Sequence, residues 1–260
     1  MDEPSLREAL AGIPLGAIRY FNRIGSTNEV ALAWAGEGAP DLALVYAEEQ
    51  TAGRGRAGRT WFSPRGAALA LSLVLRPTPA EQGFVARYTA LGALAAAEAL
   101  VGLHLPAEIK WPNDVLIHQR KVCGVLAEAI WQGKVAESVV LGIGVNVRPE
   151  AVPPPEGLNF PATSLEAEAG TVIERLPLIR AILLGLLRWR PQLGTTSFLQ
   201  AWEGRLAFRG QQVQVRLEGR PEQIGRLEGL DPDGSLRLRS PEGTSVSIQL
   251  GEVHLRPVVV

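Results

Sequence analysis

The feature that most constrains the fold of this chain is a change in the spacing of its apolar residues near residue 207. Beyond that point polar and apolar residues alternate strictly in three short segments, 212–217, 235–238 and 246–250. Alternation of period two is typical of strands with one buried and one solvated face. Pro, Asp, Glu and Gly at 231–234 and 241–243 favour tight turns between them. The sequence therefore predicts a small antiparallel β-barrel over residues 207–260.

Residues 1–206 have a different, mixed pattern and form a predicted first domain. The predicted strands are 18–24, 41–48, 67–75, 121–130 and 135–147, and the stretch 109–117 is predicted to turn around Pro112 and Asn113. The predicted helices are 26–34, 80–101, 176–189 and 197–205, and the predicted long loops are 50–64 and 149–161. Helices and strands mixed in this way, followed by an all-β segment, predict an α+β fold.

Composition excludes several classes of protein. The 260 residues include 26 Lys and Arg and 27 Asp and Glu, a net charge of −1, so the chain lacks the basic field of a dedicated nucleic-acid binder. Cys123 is the one cysteine, which rules out an intrachain disulfide and favours a reducing, cytoplasmic compartment. The most apolar stretch, 88–103, is shorter than the ~20 residues of a spanning helix and predicts a buried helix instead.

The densest chemical signal is the Gly/Arg loop at residues 53–59, which is followed by Trp61. Its three glycines allow the backbone to approach a ligand closely, and its three arginines are suited to bidentate hydrogen bonding with a carboxylate or phosphate. The P-loop pattern is absent from it. A solvated basic loop, or a segment that touches RNA, remains the alternative.

Lys110-Trp111-Pro112-Asn113-Asp114 is the second signal. Pro112 restricts the backbone, Asn113 offers both a donor and an acceptor to a nucleotide, and Asp114 could hold Mg²⁺ or the geometry of the turn. A turn with an aromatic anchor is the alternative.

Lys121 begins an apolar strand, and Gly142 and Gly144 interrupt another, which favours close approach by a ligand or by a neighbouring strand. Ser26-Thr27-Asn28 begins a predicted helix, where Ser26 would be the N-cap with or without a further function. Cys123 lies among apolar residues and is expected to be a core residue. The sequence carries neither a zinc-ligand spacing nor a nucleophile elbow.

Taken in order, these motifs resemble the biotin protein ligases, also called biotin–[acetyl-CoA-carboxylase] ligases. The matching segments are 26–28, 49–61, 110–114, 121–128 and 142–146, and the resemblance extends over about residues 18–257. It implies a mixed-sheet catalytic domain of the biotin/lipoate ligase type at 1–206. The stretch 225–255, with motifs at 229–231 and 251–253, is similar to the SH3-like C-terminal domain of that family.

The resemblance implies a reaction in two steps. The carboxylate of biotin attacks the α-phosphorus of ATP to give biotinyl-5′-AMP and pyrophosphate. A lysine ε-amine of a biotin carboxyl carrier protein, a subunit of acetyl-CoA carboxylase, then attacks the mixed anhydride and releases AMP. Two anions must be neutralised before they can react, and the Gly/Arg loop and Lys121 have the right charge for this. ATP and biotin would be substrates, together with Mg²⁺.

The family pattern also implies roles for individual residues. The catalytic set would be Arg56, Lys121, Asp114 and Lys110, with Arg56 and Lys121 bridging carboxylate and α-phosphate. Contacts to biotin or biotinyl-AMP would come from Ser26, Thr27, Asn28, Gln50, Gly53, Arg54, Gly55, Arg56, Lys121 and Gly124. The nucleotide would contact Arg56, Arg59, Trp61, Asn113 and Asn146. Asp114 is also a candidate for binding Mg²⁺ or for positioning the lysine amine, and Val125, Leu126 and Ile143 could form an apolar wall for the biotin ring.

Some family members carry an N-terminal helix-turn-helix, but only about 17 residues precede the first predicted strand here. We therefore expect a monofunctional ligase that binds neither DNA nor a membrane. The family contains homodimers and monomers, so oligomeric state stays open. A lipoate ligase or octanoyl transferase is the nearest alternative, and a non-enzymatic RNA-binding protein is the alternative from a different class.

Overall fold

The computed structural model describes residues 1–154, 156, 158, 160–217, 221–249 and 253–257. The helices are α1 Glu3–Ala9, α2 Thr27–Gly36, α3 Tyr88–Val101, α4 Leu165–Ala169, α5 Arg175–Trp189 and α6 Thr196–Glu203. The first seven strands are β1 Ala17–Phe21, β2 Ala43–Ala47, β3 Ala68–Leu75, β4 Ala107–Lys110, β5 Asp114–Ile117, β6 Arg120–Gln132 and β7 Val135–Asn146. The last five are β8 Gln212–Leu217, β9 Gln223–Leu230, β10 Leu236–Arg239, β11 Ser245–Ile248 and β12 Val253–Pro257.

The first seven strands form one mixed sheet in the order β1-β2-β3-β7-β6-β5-β4. The β1–β2 pair is parallel and the other neighbours are antiparallel. Helices α3 and α5 cover one face and form the main core with it. Helix α2 covers part of the other face, where its alanines pack on Val45, Val74 and Val140. The rest of that second face, over β6 and β7, is left for the candidate site.

The last five strands form an antiparallel sheet in the order β11-β10-β9-β8-β12. The alternating segments predicted here are strands, and the two predicted turns connect β9 to β10 and β10 to β11. Strands β9 and β12 were not predicted. In the part of the chain that the structure describes, no ladder joins β11 to β12, so closure into an SH3-like barrel stays a prediction. Residues 251 and 252 of the C-terminal motif lie outside the described residues.

The second sheet is attached to the first beside the Lys110–Asp114 turn. The chain that leads into it pairs with β4, where Ile109 N–H donates to the carbonyl of Arg205 at 2.6 Å. The Trp111 indole N–H donates to the carbonyl of Gly234 at 3.1 Å. Buried residues of both sheets belong to one continuous core. The domain boundary between residues 206 and 207 therefore stays a prediction.

Two predictions about the helices are wrong in detail, and two short helices were missed. The predicted helix 80–101 begins as a 3₁₀ segment, Gln82–Arg87, which is kinked at Phe84, and α-helix starts only at Tyr88. Ser26 occupies the N-cap position of α2, but its hydroxyl makes no capping hydrogen bond. Helices α1 and α4 were not predicted at all. Among the described residues, Gln82–Val101 is the one helical run long and apolar enough to span a membrane, and α3 within it is largely buried in the core.

Candidate active site

A cavity of about 560 Å³ lies on the face of the first sheet that α2 leaves uncovered. Its floor is formed by β6 and β7, where Gly124 is opposite Gly144 and Leu126 is opposite Gly142. Every predicted site residue except Gly53 lines it. Of the predicted wall residues, Leu126 faces the cavity, whereas Val125 and Ile143 direct their side chains to the opposite face of the sheet, toward α3. The lining residues that sequence analysis did not assign include Phe62, Ala70, Phe160, Ala162, Leu255 and Arg256.

The floor glycines are needed because other side chains lie directly on them. A Cβ at Gly142 would lie 2.8 Å from Cγ of Asn28, and a Cβ at Gly144 would lie 2.5 Å from Nε1 of Trp61. A Cβ at Gly124 would be 3.2 Å from Nζ of Lys121. Any larger residue at these positions would therefore displace a side chain of the site.

The Gly/Arg loop is folded as a short hairpin over this floor. Gly55 N–H donates to the carbonyl of Arg59 at 2.7 Å, and Trp61 N–H donates to the carbonyl of Gly53 at 2.8 Å. The tip has positive φ at Ala57 (54°) and Gly58 (68°), as a type I′ turn requires. Gly53 lies at the base of this hairpin, where a Cβ would crowd Gln50 Nε2 at 2.9 Å. Its position explains the glycine without any contact to a ligand.

One end of the cavity holds a neutral hydrogen-bond network at the start of α2. The Gln50 Oε1 atom accepts from Thr27 N–H at 2.8 Å and from Thr27 Oγ1 at 3.1 Å. The buried Ser72 hydroxyl on β3 donates to Asn28 Oδ1 at 2.6 Å and lies 2.8 Å from Thr27 Oγ1. Among described residues the buried Ser26 Oγ has no hydrogen-bond partner. This end therefore presents hydroxyl and amide groups to a ligand.

Behind this network, Glu128 on β6 connects α2 to the Gly/Arg loop. Its Oε2 atom accepts from Asn28 Nδ2 at 2.9 Å, and its Oε1 atom accepts from Arg54 at 2.8 Å. Sequence analysis missed both Ser72 and Glu128. The available signal was the same in each case, one polar residue inside an otherwise apolar strand.

The other end of the cavity is charged. The Asp114 carboxylate is 2.6 Å from Nζ of Lys121 and 3.5 Å from Nζ of Lys110. Burial alone would raise the pKa of Asp114, but the two ammonium groups hold that pKa below its usual range. Burial lowers the pKa of Lys110 in spite of its carboxylate partner. Two ammonium groups thus share one anion, which leaves a net positive charge available to a bound anion.

Arg56 and the predicted nucleotide-binding residues border this charged end. Arg56 Nη1 donates to Asn113 Oδ1 at 3.2 Å, which links the hairpin to the turn that carries Asp114. Asn113 Nδ2 in turn donates to the carbonyl of Val125 at 3.0 Å. Asn146 is buried and donates to the carbonyl of Thr163 at 3.1 Å. The segment 161–163 is held beside Lys121 by two backbone hydrogen bonds.

Two aromatic rings lie over the lysines. Nζ of Lys121 is 5.4 Å from the ring centroid of Trp61, and Nζ of Lys110 is 4.4 Å from that of Phe160. Among the described residues, Trp61 Nε1 is buried without a hydrogen-bond partner. Phe160 was not predicted, because the proline-rich segment around it has no periodic pattern that would indicate its position.

The cysteine of this chain is not available as a nucleophile in the cavity. Cys123 is buried, and burial raises the pKa of its thiol to about 12, so the thiol is not available as a thiolate. The described ranges contain no group of three or more His, Cys, Asp or Glu residues that could hold a metal ion. Asp114 lies against two ammonium groups, and its role as a ligand of Mg²⁺ stays a prediction.

Two family models match the chain. The Biotin/lipoate A/B protein ligase family matches residues 20–146, and the Biotin protein ligase C terminal domain matches residues 208–256. A biotin–[acetyl-CoA-carboxylase] ligase of Paracoccus denitrificans is 38% identical over 237 residues, which cover 86% of this chain and 95% of that protein. The bifunctional ligase/repressor BirA of Bacillus spizizenii is 36% identical over 241 residues, 89% of this chain and 73% of that protein.

Solved structures agree with these matches. The biotin protein ligase from Aquifex aeolicus in complex with biotin and ATP superposes with a TM-score of 0.76 at 28% identity, covering 93% of this chain and 99% of that one. Fold, site and sequence relatives thus point to the same group of proteins, and the chain belongs to the biotin protein ligase family.

Proposed function

We propose that this chain is an ATP-dependent biotin protein ligase. It joins biotin to AMP through the biotin carboxylate, and it then transfers the biotinyl group to a lysine of a biotin carboxyl carrier protein. The observation that carries the proposal is the polarity of the cavity. One end offers neutral hydroxyl and amide groups to a polar head, and the other holds Lys110 and Lys121 around one carboxylate, with Arg56 at its border.

The first step requires two anions to meet. Lys121 and Arg56 neutralise the carboxylate of biotin and the α-phosphate of ATP, which lowers the cost of bringing them within bonding distance. The carboxylate oxygen then bonds to the α-phosphorus, and the bond from that phosphorus to the β-phosphate oxygen breaks, releasing pyrophosphate. Asp114 positions Lys121 through its 2.6 Å ion pair and keeps both lysines on the cavity floor.

The nucleotide is expected beside Arg59, Trp61, Asn113 and Asn146, and the head of biotin beside Ser26, Thr27, Asn28, Gln50 and Arg54. The Leu126 side chain, on the same face of β6 as Gly124, is suited to the apolar part of biotin, whereas Val125 packs toward Gly92 of α3 on the opposite face of the sheet. The hairpin that carries Arg56 covers the reacting atoms, so its closure would protect the acyl-adenylate from water.

In the second step the lysine amine of the carrier attacks the carbonyl carbon of biotinyl-AMP. The C–N bond forms, the C–O bond to phosphate breaks, and AMP leaves. The carrier lysine reaches the cavity at the end where Asp114 is the anion that can orient its amine.

Several finer expectations belong to the same proposal. Mg²⁺ would enter with the phosphates of ATP, with Asp114 as its candidate ligand on the protein. We expect a cytoplasmic enzyme, with residues 1–206 as the catalytic domain, either as a homodimer or as a monomer. We also expect no operator binding, and a sequence-specific, adenylate-dependent shift of operator DNA would contradict this.

Lipoate is the competing substrate, because the matched family model covers lipoate ligases as well. The match to the C-terminal domain of biotin protein ligases favours biotin. The test is mass spectrometry of a carrier domain after incubation with this protein, ATP, Mg²⁺ and either biotin or lipoate. We expect one biotinyl adduct on one lysine and none with lipoate. An unmodified carrier with biotin would contradict the proposal.

A further inference from the structure

Glu128 lies behind two lining residues and connects them. Its two carboxylate oxygens have different partners, Arg54 at 2.8 Å and Asn28 at 2.9 Å. Glu128 is on β6, two residues beyond Leu126, whose carbonyl also accepts from the Asn28 amide at 3.4 Å. Because side chains two residues apart in a strand point to the same face, Glu128 lies on the cavity side of β6, next to the lining residue Leu126.

The cations of the cavity are unevenly balanced along its length. Asn28 lies over Gly142, and Asn146 lies four residues further along β7, a separation of about 13 Å. At the Asn28 end, the charge of Arg54 is opposed by Glu128. At the other end, two ammonium groups, those of Lys110 and Lys121, face the one carboxylate of Asp114.

We propose that Glu128 is a positioning residue that determines specificity: by neutralising Arg54 and fixing the Asn28 amide, it makes this end of the cavity accept a neutral polar head group and reject a second anionic group. The inference rests on the proposed function and deepens it by naming what orients the substrate. An anion placed at the Asn28 end would lose its hydration without gaining an unopposed positive charge. The carboxylate of the substrate is therefore directed to Lys121.

The side chain at position 128 also has to be a carboxylate because it accepts hydrogen bonds on two separate oxygens. It takes Asn28 Nδ2 on one oxygen, so Asn28 Oδ1 faces the Ser72 hydroxyl at 2.6 Å. A glutamine at position 128 has one carbonyl oxygen and can satisfy either Arg54 or Asn28, but not both. Replacing Glu128 thus leaves Arg54 with an unopposed charge.

The test compares Glu128→Gln with the control Glu137→Gln. The control removes a more exposed carboxylate, on the same sheet, from its ion pair with Arg76. Biotin-dependent pyrophosphate release is measured with each variant. Its inhibition by a linear dicarboxylic acid is compared with inhibition by the monocarboxylic acid of equal length. For Glu128→Gln we expect the KM for biotin to rise about tenfold, which corresponds to the loss of one interaction of ~1.4 kcal/mol. The kcat and the KM for ATP should stay within about twofold of their wild-type values. The dicarboxylic acid should become at least about fivefold more potent relative to the monocarboxylic acid, by gaining a charge-assisted hydrogen bond.

Arg54→Gln tests the same inference, because it should change the preference for the dicarboxylic acid in the opposite direction. It leaves Glu128 unopposed, so the dicarboxylic acid should lose potency relative to the monocarboxylic acid. Glu128→Asp keeps the charge and should keep the discrimination of wild type. Equal inhibition ratios in Glu128→Gln and Glu137→Gln, or a ratio unchanged in Arg54→Gln, would overturn the inference. Absence of biotin-dependent pyrophosphate release in the wild-type protein would instead overturn the proposed function.

Discussion

Replacement of Asp114 by asparagine removes a carboxylate that pairs with both Lys110 and Lys121. At an effective dielectric constant of 20, an ion pair at 2.6 Å is worth about 6 kcal/mol and one at 3.5 Å about 5 kcal/mol, before desolvation is subtracted. Breaking a buried pair by removing one partner costs about 3–5 kcal/mol. Asparagine keeps one carbonyl acceptor for a lysine, so we expect a loss near the lower limit, about 3 kcal/mol.

Urea unfolding at pH 7 measures this loss. Thermal unfolding gives a second measure of it. Because a loss of 1 kcal/mol lowers the melting temperature of a protein of this size by about 2–4 °C, Asp114→Asn should melt about 6–12 °C below wild type. Glu137→Gln removes a more exposed ion pair and should cost at most about 1 kcal/mol. The pKa of Asp114 is lowered in the folded protein, so its stabilising effect is complete above its unfolded pKa and is lost as pH falls through the folded value. The gap between variant and wild type should therefore narrow in acid.

The same variant should slow adenylate formation, because Lys121 loses the partner that fixes its position. Pyrophosphate release in a single turnover, with biotin and ATP both saturating, separates this effect from binding. The reasoning would be refuted by an Asp114→Asn protein that has the wild-type melting temperature at pH 7 and releases pyrophosphate at the wild-type rate.

Four further substitutions test other parts of the account. Arg56→Ala should slow biotin-dependent pyrophosphate release by about 10²–10³, the usual cost of losing one preorganised donor to developing charge; a wild-type rate would contradict its role. Gly142→Ala should raise the KM for biotin and cost about 1–3 kcal/mol in urea unfolding, since its Cβ would lie 2.8 Å from the Asn28 carboxamide carbon. Cys123→Ala should keep its activity, and native wild-type protein should resist iodoacetamide at pH 8, because burial raises the pKa of the thiol to about 12. Trp111→Phe removes the indole N–H that binds the second sheet and should cost about 1–3 kcal/mol in urea unfolding, by leaving a carbonyl unpaired.

The sequence allowed prediction of the elements that have a strong period. Strands β6 and β7 and their turn at Gly133 were predicted because two long apolar stretches flank a glycine, and in the structure that glycine has a positive φ. Strand β9 was missed because Gly225 and Gly229 interrupt its alternation and its register shifts against β10. Helices α1 and α4 have seven and five residues, too few to establish a helical period.

For the candidate site, local motifs could be predicted from the sequence, whereas contacts between separate strands could not. Motifs such as 26–28 and 110–114 predicted which side chains line the cavity, because the chemistry is carried by residues that are adjacent in sequence. Ser72 and Glu128 contribute from separate strands, and only the pairing of β3, β6 and β7 brings them to Asn28. Their contacts depend on strand register, which a single sequence does not determine.

The central claim is that the charged end of the cavity joins a carboxylate to the α-phosphate of ATP. The most direct measurement uses ATP labelled at the α-phosphate, without any carrier protein, and follows labelled product with biotin or with biotinamide. We predict that biotin gives labelled biotinyl-5′-AMP, while biotinamide binds and gives none. Binding of both biotin and ATP without any labelled adenylate would contradict the account.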